Sequence, residues 1–416
     1  MKILFKIFIS FIALSLFSTA NAVTIKWLHL YADSAKEMPS ILKAVEEYEA
    51  KTGNTVELQY LENEAFKAKL PTMLQSNDRP DIFYSWGGGV MYDQARAGFL
   101  RDISSAVPDD YLNGISEAAA NAFTFEDQRV GLPLQVSQVA WWYNKDLINQ
   151  AGVDVSKILM WDDLLDAVKQ IKSAGITPIC LGGKDKWPVH FIWTHLHIRN
   201  GGQDLFLESM NNGGWGRPEY IKSGEQMLDL VNLDPFQDGY LAATWPDQAG
   251  MFGDGKCAMA LMGNWMYGAQ AANSASGEGL GDDNMGMFNM PATKGGLGDV
   301  GDTLGGINGW LFSSSASDEA VDLIMHYVSK ATQSQDAGNG AYIPVVKGAD
   351  SSIKNPFLQQ VAGNIANSKY HQIFYDQFLG ADIGRVVNDV STDLAAGIIS
   401  PEEATAQVQE AWEFNQ

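Results

Sequence analysis

Four tryptophans stand where extended stretches of the sequence end in a turn. Trp86 precedes three glycines in "PDIFYSWGGGV", Trp187 precedes Pro188, Trp265 follows Asn264 and Trp310 follows Gly309. An indole at a strand end offers a flat apolar face to whatever lies beyond the sheet. Sugars carry the complementary chemistry: aromatic rings cover their C–H face, while Asp, Asn, Gln and Arg pair with the hydroxyl rim. Trp161, Trp193 and Trp412 recur at helical spacing among aliphatic residues and are expected in cores. One strand-end tryptophan is explained as well by packing as by binding; four in like settings favour binding.

Three other chemistries compete. Gly87-Gly88-Gly89 suggests a phosphate loop, but it lacks both the G-x-G-x-x-G spacing and a following Lys-Ser or Lys-Thr, and Asp93 places an acid nearby. His195 and His197 lie two apart, a spacing that faces one way only in a strand. Their segment reads as helix and no third ligand is evident, so no metal is expected. Paired carboxylates could hydrolyse glycosidic bonds. With 50 acidic residues pairs arise by chance, and neither a distinctive spacing nor a G-x-S-x-G elbow singles one out. A secreted glycoside hydrolase or lectin-like carbohydrate-active protein is the alternative reading. No cofactor is expected.

The elements that must position these residues alternate. Strands are expected over 24–30, 55–61 and 81–85, with helices between them, the first stopped at Gly53. That order predicts a parallel sheet flanked by helices, whose ligands sit beyond the carboxyl ends of the strands. Asp33, Ser34 and Trp86 fall there. A long extended run over 131–144 leads to a second cycle: a helix from Trp161, a strand over "ITPICLGG", helices near 219–232, and a strand over 256–265. Residues 271–309 read as Gly, Asn and Asp-rich loop, followed by a strand from Gly309 and a helix from Asp318. Ser400 and Pro401 begin a terminal helix.

With 416 residues the chain is too long for one ordinary core, so two lobes are expected. Residues 1–22 read as an export signal: Lys2 and Lys6, an apolar stretch from Ile7 to Phe17, and Ala20-Asn21-Ala22 as the cleavage site. No later run reaches the roughly 18 apolar residues of a membrane span. The net charge of −22 argues against nucleic acid and anionic membrane as partners. Cys180 and Cys257 both lie in apolar stretches; they pair or remain two buried thiols.

Taken in order, "RPDIFYSWGGG", "AGFLRDIS", "GLPLQVSQVAWWYNKDL", "WDDLLDAVKQIKSAGITPI", "MFGDGKCAMALMGNW" and "SPEEATAQVQEAW" resemble the periplasmic sugar-binding proteins of ABC importers. This is the large extracellular solute-binding family that includes the maltose-binding protein. The resemblance covers nearly the whole chain after the signal. It implies an α/β periplasmic-binding-protein fold of two lobes joined by hinge strands, with an interlobe ligand cleft. Residues 23–130 and 286–340 would form the N-terminal lobe, and 131–285 and 341–416 the C-terminal lobe. Crossings would fall near 128–136, 286–306 and 341–348.

Position by position, the resemblance implies Asp33, Ser34, Glu64 and Trp86 on the first wall and Gln135 and Gln138 in the crossing segment. Asp185, Trp187 and Trp265 would form the second wall, joined by Asn308, Trp310, Asp376 and Arg385. The expected ligand is a neutral di- or trisaccharide, since several stacking platforms and no Arg or Lys cluster fall at these positions. The resemblance further implies a periplasmic monomer that serves the transmembrane subunits of an ABC transporter.

Overall fold

The structure, a computed structural model, describes residues 22–416. The expected export signal therefore lies, Ala22 apart, outside the described residues. Eleven strands follow in chain order: β1 (Thr24–His29), β2 (Thr55–Tyr60), β3 (Ile82–Ser85), β4 (Thr124–Phe125), β5 (Gln128–Arg129), β6 (Gly131–Asn144), β7 (Met259–Gly263), β8 (Met285–Phe288), β9 (Thr303–Phe312), β10 (Ile343–Pro344) and β11 (His371–Ile373). Strands β4 and β5 form a small hairpin, and the rest join one sheet ordered β10-β6-β9-β3-β1-β2, with β7 and β8 pairing β6 and β11 pairing β9.

The first three strands are parallel, as the strand–helix alternation predicts. Gly53 ends the first helix, Met38–Thr52, in the left-handed conformation at φ 74°. The terminal helix Pro401–Phe414 begins in a capping box between Ser400 and Glu403.

Strand β6 organises the molecule. Residues Gly131–Gln138 pair with β9, and Val139–Asn144 pair with β7 and β8. One strand thus serves two hydrophobic cores. The first contains Trp27, Ile82, Phe83, Leu132, Leu134, Trp310 and Tyr327. The second contains Val139, Trp141, Trp142, Trp161, Trp193, Trp215 and Tyr375. Trp161 and Trp193 are core residues, each 1% exposed.

Three elements depart from expectation. "ITPICLGG" is no strand: only Ile179 forms bridges, to Phe236 and Met259. Pro178 has no N–H to give and interrupts the ladder. Residues 271–309 are not all loop, since β8 and the first seven residues of β9 lie there. Gly305, Gly306 and Gly309 hide that strand from a reading by propensity. They are there because β9 approaches β6 closely: a Cβ on Gly309 would meet Pro133 Cα at 2.8 Å, and one on Gly305 would meet the Ser137 carbonyl carbon at 2.7 Å. The chain also stays with the second core past residue 286, through Met287, Met290 and Leu304, and with the first core past 341, through Ala349.

Cys180 and Cys257 form a disulfide, with Cα atoms 5.6 Å apart. Among the described residues no helix is long and apolar enough to cross a membrane.

Candidate binding cleft

The carboxyl ends of the parallel strands carry the first wall. Trp86 follows β3 and packs edge-on against Phe66 at 5.8 Å and Tyr84 at 5.3 Å, keeping part of its ring exposed. Glu64 and Lys67 lie one helical turn apart on the helix Asn63–Leu74, their charged ends 3.5 Å from each other. Asp33 and Ser34 stand exposed in the turn after β1. In β6 the register shifts between Pro133 and Gln135, a bulge that re-aims the following side chain. Gln135 Nε2 then donates to the hydroxyls of Tyr84 at 3.0 Å and Tyr31 at 3.4 Å. Its partner across the ladder is Asn308, whose buried Oδ1 has no hydrogen-bond partner among the described residues.

The second wall is aromatic. Trp187 opens the long helix Trp187–Asn212, with Trp245, Phe191 and Trp265 around it at ring separations of 5.7, 5.4 and 6.4 Å. Trp265 follows β7, lies on Gly263 and meets Phe374 at 6.0 Å. Asp185 Oδ2 accepts the backbone N–H of Trp245 at 2.7 Å, which fixes the start of the helix Trp245–Gly253. Asp376 lies deeper, accepting from Gln377 and Asn388 and sitting 3.9 Å from the buried His190.

The two walls touch. The Trp187 indole N–H donates to Glu64 Oε1 at 3.0 Å. The Lys67 ammonium lies over both Trp86, 5.4 Å from its ring centre, and Trp187, at 5.6 Å. At another point Lys36 lies 4.6 Å over the Tyr267 ring. Burial raises the Glu64 carboxyl, Lys67 pulls it back, and nearby Asp185 raises it further. Asp185 is raised by burial as well, against the Trp245 hydrogen bond. The rim thus holds two carboxyls shifted toward neutrality around one lysine, beside the partly exposed indoles of Trp86 and Trp265 and the buried one of Trp187. Such a surface can stack apolar rings and exchange hydrogen bonds with hydroxyls.

Glu64, Trp86, Asp185, Trp187 and Trp265 are thus brought together, with Gln135 and Asn308 at the crossing strands. Three expected residues stand elsewhere or are already committed. Trp310 is fully buried, 5.0 Å from Trp27 and 5.5 Å from Tyr84; it props the wall from behind and shows it no face. Arg385 is an exposed residue of the helix Ala381–Ala395, paired with Asp389. Gln138 is tied by its side-chain amide to Asn289 and Asn364 and by its backbone to Asn264. His195 and His197 are helical and buried, with His195 Nδ1 on the Phe191 carbonyl. Lys67, Phe374 and Tyr31 were missed. Only Lys67 left a signal, its three-residue spacing from Glu64 on one helix face.

A profile of the bacterial extracellular solute-binding protein family matches residues 31–335. The chain belongs to that family. This solute-binding protein is 26% identical over 204 residues to an uncharacterized ABC transporter extracellular-binding protein of Pyrococcus horikoshii, covering 49% of this chain and 46% of the relative. It is 23% identical over 298 residues to a multiple sugar-binding protein of Streptococcus mutans, covering 68% and 65%. The match therefore spans 46% and 65% of these relatives' own length. A solved structure from work on xylan utilization by the thermophilic bacterium Caldanaerobius polysaccharolyticus matches with a TM-score of 0.85 at 25% identity, over 93% of this chain and 99% of that one. A chitin oligosaccharide binding protein matches in fold, with a TM-score of 0.84 at 24% identity over 94% and 98%. The family, the two curated relatives and the chitin oligosaccharide protein are all described as binding proteins.

Proposed function

We propose that this solute-binding protein captures a neutral di- or trisaccharide outside the cytoplasm, in the periplasm, and delivers it as a monomer to the transmembrane subunits of an ABC importer. The observation that carries the reading is the pair of facing aromatic walls, Trp86 on one side and Trp187 with Trp265 on the other, rimmed by Glu64, Asp185 and Gln135. One lobe is built on the core of Trp27, Leu132 and Trp310 and the other on the core of Val139, Trp193 and Tyr375. They close by rotation about β6 and β9, and a ligand favours closure because it touches both walls. Asp33, Ser34 and Asn308 supply further polar contacts. The sugar-binding relative in Streptococcus mutans supports the ligand class.

A second reading comes from a relative of wide coverage, the sn-glycerol-3-phosphate-binding periplasmic protein of Agrobacterium fabrum, 25% identical over 371 residues. Lys67 could meet a phosphate, but it is already paired with Glu64 at 3.5 Å and lies over the Trp86 and Trp187 rings, so the neutral sugar is favoured.

Tryptophan fluorescence and calorimetry against xylotriose, chitotriose, raffinose, maltotriose, glycerol 3-phosphate and a tripeptide test the reading. Saturable binding of at least one neutral sugar is expected. A response to glycerol 3-phosphate or the peptide alone overturns it. Trp265→Ala is expected to weaken the bound sugar about tenfold or more, the loss of one stack and its buried area. Unchanged affinity in the same titration removes Trp265 from the platform.

A further inference from the structure

The glycines after Trp86 hold no phosphate, yet their surroundings give them a task. The helix Gly88–Arg96 packs on the first core through Met91, while the segment Phe374–Leu379 packs on the second through Phe374, Tyr375 and Leu379. The two meet backbone to backbone. A Cβ on Gly89 would lie 2.6 Å from the Phe378 carbonyl oxygen and would also overlap Gly380; one on Gly88 would lie 2.9 Å from Phe378 Cα. Neither clash involves the far end of a side chain that could swing away. Gly88 also sits at φ 71°, a conformation that disfavours any other residue.

A hydrogen bond joins the same two segments. Asp93 Oδ2 accepts the backbone N–H of Ala381 at 3.2 Å, the first residue of the helix Ala381–Ala395. A carboxylate from one lobe thus caps a helix of the other, where the N-terminal end of the helix dipole favours negative charge. Gly87, beside this contact, lies 3.7 Å from the Ile307 carbonyl of β9 by the position of its absent Cβ, so the contact sits close to the crossing strands. A small obstruction at short radius from a pivot blocks a wide arc at the cleft mouth.

We propose that Gly88 and Gly89 are the closure stop of this protein. Their bare backbone lets the first lobe seat against Gln377–Gly380, Asp93 clasps the helix beyond, and the seat sets how far and how often the lobes close. The inference rests on the lobes moving, as proposed above, and not on which ligand binds.

The test needs no ligand. Asp93→Cys with Ala381→Cys, in the full chain with its native disulfide, forms a cross-link under diamide whenever the segments meet. The rate is read by mass spectrometry of blocked thiols. Adding Gly89→Ala should slow cross-linking about tenfold or more, because the closed population falls by that factor. Gly89→Ala alone should melt within about 3 °C of the parent, since the cores are untouched. Gly88→Ala, whose Cβ would meet Phe378 Cα at 2.9 Å and which adds its own strain at φ 71°, should also slow the rate and decides the matter if Gly89→Ala does not fold. Equal rates in all backgrounds overturn the proposal, as does a cross-link that never forms. A large drop in melting temperature for both alanine variants does so too, because the contact is then permanent packing. No sugar is present, so this result and the ligand screen fail independently.

Discussion

Arg199→Met is expected to cost the protein on the order of 4 kcal/mol or more, among the largest effects available to a single side chain here. Arg199 is 2% exposed, and among the described residues no carboxylate bonds to it directly. Its guanidinium gives its hydrogen bonds to backbone carbonyls instead: Met290 twice, at 3.3 and 3.0 Å, Asp299 at 3.1 Å, and Val300 and Asp302 at 3.0 Å each. Burial pushes the guanidinium down to about 10, with Asp302 and Asp299 opposing, and it stays charged at neutral pH. These four carbonyls belong to the segment that carries the chain from β8 back to β9. Methionine fills a similar volume but leaves them without donors, at about 1–3 kcal/mol for each that finds no water. Arg199→Lys should recover part of the loss, since an ammonium has three donors in place of five. Urea unfolding measures both. A methionine variant within about 1 kcal/mol of the parent would show that the carbonyls are satisfied some other way.

Acid is expected to destabilise the protein from about pH 6 downward, well before most carboxylates titrate. Burial holds His195 and His197 down at about 3 and His371 at about 4. In the unfolded chain all three titrate near 6.5, so below that pH the unfolded state takes up protons that the folded state refuses, and stability falls. Two buried carboxyls act in the opposite sense. Glu37 is pushed up to about 7 and Asp336 to about 6, chiefly by burial, so the folded state keeps their protons where the unfolded state has released them. Their penalty on the folded state is relieved as pH falls from 7 toward 4. His190 and His29 are also held down by burial, so the histidines outnumber these two carboxyls and unfolding takes up protons between pH 6 and 4. Urea midpoints across that range give the slope directly. His197 sits 4.3 Å from the Tyr220 ring and 4.2 Å from Trp193, and neither of its ring nitrogens has a partner among the described residues. His197→Phe should therefore fold well and reduce the slope by the share of one histidine; a slope unchanged by it assigns the effect to other groups.

Much of this architecture is legible in the sequence, because strong local signals agree with the tertiary outcome. The alternation from β1 to β3, the Gly53 stop and the Ser400–Glu403 cap are such cases. What escapes is whatever depends on distant contacts. β9 begins six residues before its apolar stretch because glycines are needed to lie against β6, and no propensity scale anticipates that. Trp310 and Trp86 look alike in sequence, each beside glycine. β3 places one at its end and β9 places the other across from Tyr84, over the first core. Lys67 gains its place only when Trp187, from the other lobe, arrives above it. The placement of Trp86 just past β3 and of Trp265 just past β7 is legible in the sequence; contacts that need both lobes, such as Lys67 with Trp187, are not.

The shared strand β6 has a further consequence, for the order in which the molecule can fold. β3 finds its inner neighbour only in β9, which is made after the whole of the second lobe's first portion. The first lobe therefore cannot complete its sheet as a nascent N-terminal piece, and no cut in the chain yields either lobe intact. Contacts this remote in sequence demand large loop closures before they reward the chain, so assembly is slow and late. A chain of this kind stays open for a long interval after synthesis begins, the condition in which a polypeptide can still be threaded or bound by a chaperone.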